Sequence, residues 1–178
     1  KALLGALVVL VVLAAADGAA GTLTTEEARD FSQALKAVDR QDSRRFQRHA
    51  DDVKDKLARK ILTWFRISKG GTGADFDAIV GFAKANPDWP YQGRMRARAE
   101  EALDVRADAA AIVKWFGKEP PKTSVGKEKL AQALIRLGDE TRAREIIRRA
   151  WIDGTFAKDH EAGFYRKHRK YLTLADNR

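Results

Sequence analysis

The chain has no cysteine among its 178 residues. That absence excludes a disulfide framework and every thiolate metal site, and it suits an oxidising compartment. Histidine is scarce: His49, His160 and His168 are all there are. His160 and His168 stand too far apart for the i, i+4 pair that holds zinc on one helix face, so no metal or other cofactor is expected. Ser32, Ser43, Ser68 and Ser124 sit in no nucleophile elbow. The run Gly70-Gly71-Thr72-Gly73 has no strand before it and no Lys-Ser/Thr after it, which excludes a phosphate-binding P-loop. Carboxylates are plentiful but fall on charged faces or at helix starts. None has the apolar setting that raises a pKa for acid catalysis, so no catalytic residue is assigned.

One long hydrophobic run is present, Ala2 to Ala16. As a helix it would span about 22 Å, short of the hydrocarbon core of about 30 Å. Lys1 precedes it, and Ala14-Ala15-Ala16 and Gly18-Ala19-Ala20 follow. That layout is a secretory signal peptide over residues 1–20, or a short N-terminal anchor if uncleaved. A buried core helix is the competing reading. Residues 21–178 then form the mature domain. Its 44% apolar and 33% charged residues are ordinary for one globular domain. Net charge is +9, and Lys1 and Asp17 cancel, so losing residues 1–20 does not change it. A basic protein favours anionic partners; export removes nucleic acid from the candidates and leaves envelope polymers and lipid headgroups.

The remainder reads as short amphipathic helices joined by tight corners. Thr24 and Glu27 have capping-box spacing ahead of Phe31, Ala34, Leu35 and Val38. Asp42-Ser43 caps a very basic helix holding Phe46 and Ala50. A helix from about Asp52 to Ser68 repeats Val53, Leu57, Ile61 and Phe65, with Leu62 and Trp64 as a second row. Asp75 caps a helix whose face is Phe76, Ile79, Val80 and Ala83. Pro87 stops it, and Pro90 is placed in the first turn of the next helix, Tyr91 to Leu103. Trp89 is expected as an aromatic wedge between the two. Met95, Ala99, Ala102 and Leu103 turn inward; Arg94, Arg96, Arg98, Glu100 and Glu101 are the charged outer face. Ala107 to Phe116 points Ala111, Ile112, Trp115 and Phe116 inward and ends before Pro120-Pro121. Then Leu130, Ala133, Leu134 and Leu137 line up, with Gly138 as the terminal glycine. Ala143, Ile146, Ile147 and Ala150 line the helix after it. The pattern is all-α: an irregular solenoid of helix pairs, close to a tetratricopeptide unit in Leu130–Trp151 but without a strict 34-residue period.

Several stretches resemble one family. They are WFRI (Trp64–Ile67), GFAKANPDWP (Gly81–Pro90), RARAEEAL (Arg96–Leu103), KWF (Lys114–Phe116), RLG (Arg136–Gly138), RRAW (Arg148–Trp151) and LTLADNR (Leu172–Arg178). Together they resemble the superhelical region of soluble lytic transglycosylases over residues 25–178. The resemblance implies a right-handed α-superhelix with Trp64, Pro87, Trp89, Pro90, Trp115 and Trp151 as structural residues. It implies a periplasmic protein acting on peptidoglycan, with cleavage of the MurNAc–GlcNAc bond to 1,6-anhydro products carried out by a later lysozyme-like domain. That domain's Glu-Ser motif is not among these residues, and the superhelix is expected to continue past Arg178.

A final helix, about Asp159 to Leu172, interleaves Phe164, Tyr165, Tyr171 and Leu172 with basic residues. Arg166, Lys167, Arg169 and Lys170 are the candidate contacts for an anionic polymer; a solvated face is the plain alternative. The expected partners are peptidoglycan strands and other envelope proteins, with membrane contact only through residues 1–20. A standalone adaptor binding a protein partner is the alternative function.

Overall fold

The computed structural model describes residues 23–71, 73–117, 119–154, 156 and 158–176, apart from the side chains of 158–160. The expected signal segment lies outside the described residues. Among those described, every regular element is a helix: nine α-helices and two 3-10 turns. The chain divides into two compact units, Lys1–Gly73 and Ala74–Arg178.

The first unit contains α1 (Thr25–Asp39), α2 (Ser43–Asp52) and α3 (Lys56–Lys69), with α1 packed on both others. The capping box forms: Glu27 N donates to Thr24 Oγ1 and Thr24 N to Glu27 Oε2, both at 3.1 Å. Phe31, Ala34, Ala37 and Val38 are buried. The third helix starts at Lys56, not at Asp52. Asp55 caps it, accepting Ala58 N at 2.8 Å, and Val53 leaves the helix to plug the corner with no exposed surface. The repeat Val53-Leu57-Ile61-Phe65 is therefore not one face. Leu57 is 48% exposed, and Ala58, Leu62 and Phe65 point inward with Trp64 and Ile67.

The second unit runs α4 (Phe76–Ala85), α5 (Gln92–Ala102), α6 (Ala109–Phe116), α7 (Ser124–Arg136), α8 (Glu140–Asp153) and α9 (Lys158–His168). Short turns follow at Arg169–Tyr171 and Leu174–Asp176. Helices pack on their neighbours in sequence, α4 on α5, α6 on α7 and α7 on α8, and α5 also reaches α7. This is solenoid-type packing. Leu103, Ile112, Phe116, Leu130, Leu134, Ile147, Phe164 and Tyr171 form one apolar core. Between α7 and α8, Asp139 N bonds Leu134 O and Gly138 N bonds Ile135 O, with Gly138 at φ 81°. This Schellman pattern is what the Leu-Gly turn predicts. Leu137, expected inward, caps the helix and is 51% exposed; Ala111 is exposed as well.

The Pro-Asp-Trp-Pro corner is built differently from expectation. Tyr91 takes a left-handed conformation, φ 66°, so the next helix starts at Gln92 and Pro90 stands outside it. Gln92 Nε2 closes the corner, donating to Asn86 O at 2.6 Å and Trp89 O at 3.2 Å. Trp89 is only half-buried and meets Phe82 edge-on at 5.6 Å, so it braces the end of α4 rather than filling a sealed gap.

One device recurs in both units. Glu27 Oε1, on α1, accepts the backbone N–H groups of Lys54 (2.8 Å) and Asp55 (3.2 Å), just before α3. Glu100, on α5, accepts those of Lys122 and Thr123, both at 2.8 Å, just before α7. In each case a carboxylate satisfies the amides at the start of the helix two elements on, donors that otherwise lack partners. Glu100, expected on the outer face of its helix, is wholly buried instead. Thr123 Oγ1 also donates to it at 2.7 Å, and Lys129 Nζ returns the favour by donating to Glu100 O (3.1 Å) and Glu101 O (2.7 Å).

Candidate functional site

The tail of the second unit is where the basic-aromatic pattern lies. Phe164, His168 and Tyr171 recur at helical spacing and all turn inward, at 1%, 2% and 5% exposure. Phe164 stacks nearly parallel on Trp151, centroids 6.2 Å apart, and touches Phe156 at 5.0 Å and His168 at 4.7 Å. That packing sets the rotation of α9 and leaves Arg166, Lys167, Arg169 and Lys170 all exposed.

The four candidate cations separate into two pairs. Lys167 Nζ is 2.8 Å from Glu128 Oε1 on α7, an oxygen that also lies 3.3 Å from His168 Nε2. Lys170 Nζ sits 4.6 Å above the Tyr171 ring. Lys167 ties the tail to α7, and Lys170 is engaged within the tail itself. Arg166 and Arg169 are exposed, three residues apart, with no partner among the described residues. Beside them Tyr165 is 39% exposed and rests on Trp151 at 5.4 Å. Two guanidinium groups next to a supported phenol can grip an anionic chain and stack on a sugar or other flat apolar face.

Downstream, Asp176 closes the end of the unit. Arg148 Nη2 donates to its Oδ1 at 2.7 Å, and Nε reaches both oxygens at 3.1 and 3.0 Å. Thr173 donates its N–H and its hydroxyl to Oδ2, both at 2.7 Å. The Arg148 hydrogen bond first, then the two from Thr173, hold this carboxyl far below its ordinary range.

Trp64 is buried in α3, and Pro87 and Pro90 are exposed at their corner. Trp115 is half-buried, edge-on to Phe76 at 5.0 Å, and the Arg96 guanidinium lies 3.6 Å over its ring. Trp151 is half-buried within the aromatic group described above. Among the acids, Glu101 pairs with Arg98 at 2.7 Å and Glu161 is exposed. Both oxygens of Glu100 accept hydrogen bonds from the start of α7. Sequence reasoning missed Glu100, Arg148 and Asp176. A signal existed for the first: a Lys-Thr cap followed at the third helical position by Gly126, whose missing side chain leaves room for the Glu100 carboxylate. For the Arg148–Asp176 pair, 28 residues apart, nothing local could have shown it.

Comparison with protein-family models, curated proteins and solved structures finds no match for this chain.

Proposed function

We propose that this chain is the superhelical, non-catalytic part of an exported peptidoglycan lytic transglycosylase, a scaffold that guides glycan strands toward a cleavage site carried elsewhere. The observation that supports it is how the resemblance-bearing stretches meet in space. Arg96 of RARAEEAL lies 3.6 Å over the ring of Trp115 in KWF. Arg148 of RRAW is joined to Asp176 of LTLADNR at 2.7 Å. Glu100 of the first stretch holds the start of α7, which ends in RLG. These contacts join five of the seven stretches within the second unit, while WFRI belongs to the first. The +9 charge and the exposed pair Arg166 and Arg169 suit an anionic wall polymer. Glycosidic cleavage needs a carboxyl group kept protonated; of the two acids buried among the described residues, Asp176 is held in its charged form by Arg148 and Thr173, and Glu100 is occupied at the start of α7.

The test is co-sedimentation of the full chain with purified sacculi. Retention is expected, with loss at high salt, reduction by Arg166→Gln/Arg169→Gln and no release of anhydro-muropeptides. Release of those products would refute the scaffold role, and absence of retention would refute wall binding. A second reading, an adaptor for a protein partner, draws on Leu137, Ile152 and Leu174, which are 51%, 59% and 92% exposed in the second unit. Retention-negative protein that captures a defined envelope partner would favour it.

A further inference from the structure

A separate basic feature belongs to the first unit. Helix α2 buries only Phe46 of its ten residues. Asp42, Arg44, Arg45, Arg48 and His49 line one open hollow there. Three of these groups have work already. Asp42 caps the helix, accepting Arg45 N at 2.9 Å. Arg45 Nη2 donates to Gln33 Oε1 at 3.2 Å. His49 Nδ1 lies 2.8 Å from Asp30 Oδ1. Arg44 and Arg48 are exposed and have no partner among the described residues.

Their isolation is informative because a partner is within reach. Asp52 stands four residues on from Arg48, the spacing of a helical ion pair, yet no pair forms among the described residues. Asp51 is taken by Gln47 at 2.8 Å. Arg44 and Arg48 are instead left one turn apart, about 6 Å along the axis, where like charges repel. Three guanidinium groups against one carboxylate leave the hollow with two positive charges.

We propose that this hollow binds a phosphate-type dianion, a phosphomonoester or pyrophosphate group, with Arg44 and Arg48 as the principal donors and Arg45 as the third. A dianion balances both uncompensated charges, whereas a carboxylate balances one. The planar fork of arginine matches the oxygens of a phosphate with paired hydrogen bonds. Every residue that lines the hollow carries a polar or ionisable group, so the feature recognised is an anionic head. The inference uses the first unit alone and does not depend on the glycan reading, which rests on the tail of the second.

Titration of the full chain with pyrophosphate, followed by NMR of backbone amides and arginine Nε–H groups, tests it. Saturable shifts are expected in Ser43–Ala50 and at Arg44, Arg45 and Arg48. Arg44→Gln/Arg48→Gln should weaken binding by about tenfold or more, since two charge-assisted contacts are lost. The charge-matched variant Arg144→Gln/Arg149→Gln in the second unit should leave it unchanged, and helical circular dichroism should be the same in all three proteins. Vesicles of phosphatidylcholine with or without phosphatidic acid separate the sources. Retention only with phosphatidic acid assigns the site to a lipid head; pyrophosphate binding without retention assigns it to a soluble phosphate compound. No saturable pyrophosphate shift, or equal weakening by both double variants, overturns the proposal.

Discussion

Gly126 sits in the first turn of a helix, a place where alanine is normally better by up to about 1 kcal/mol. Here a Cβ would collide with the Glu100 carboxylate. Displacing that carboxylate strips the partners from Lys122 N, Thr123 N and Thr123 Oγ1; these bonds are only part-buried and water can replace most of them, so the loss is that of one unsatisfied buried group, about 1–3 kcal/mol. The collision outweighs the propensity, so Gly126→Ala should destabilise the protein by about 1–3 kcal/mol. In a Glu100→Ala background the same change should become stabilising, because only the propensity remains. Chemical denaturation of the four proteins checks this, and a harmless Gly126→Ala in the native background would contradict it. Asp176 makes a pH-dependent contribution. Its folded pKa lies below the ordinary 3.8, chiefly through the Arg148 hydrogen bond, so its stabilisation is complete above that value and is lost as pH falls toward the folded one. The stability gap between the native chain and Asp176→Asn should therefore be constant from pH 7 to 5 and should shrink steadily below pH 4. A gap that widened on acidification would contradict the depressed pKa.

At the scale of helices and corners, most starts were legible because they depend on neighbours in sequence. Thr24, Asp42 and Asp75, read as caps, each accept a backbone N–H three residues on. Thr123 caps in the same local way, and so do Asp108 and Asp139 without having been singled out. The errors came where a tertiary contact overrode the local pattern. Val53 left its helix to fill a corner, and Glu100 went inside although its spacing from Arg96 suits an exposed pair. At Tyr91 a left-handed residue moved a helix start past Pro90, and no periodicity reports a single backbone angle. The half-exposure of Trp89 lowers what its removal should cost. Trp89→Ala is expected to destabilise by about 1–3 kcal/mol, less than the 3–5 of a sealed aromatic. A double-mutant cycle with Phe82→Ala should give a coupling of about 0.5–1.5 kcal/mol from the edge-on contact. Zero coupling would mean that the two rings do not support each other.

For the molecule as a whole, composition and periodicity were enough for the all-helical class, since each stripe had to be covered by another helix. They were not enough for the candidate surface. Arg166, Lys167, Arg169 and Lys170 are all exposed, but which of them are already engaged depends on Glu128 and Tyr171, and the first of these lies on another helix. The salt dependence expected with sacculi belongs to this scale: exposed guanidinium contacts are screened as the Debye length falls from about 8 Å at physiological ionic strength to about 3 Å at 1 M. The carboxylates Glu27 and Glu100 have a further consequence, which concerns time. Most helix starts can be completed as soon as their own residues exist. Those of α3 and α7 need a group more than twenty residues upstream: Glu27 for Asp55, Glu100 for Thr123. A ribosome releases the chain from its N-terminus at about 5–20 residues per second. In each unit the acceptor therefore emerges a second or more before the amides it will hold, and the dependence runs in the direction of synthesis, so that neither helix start has to wait for a partner still unmade.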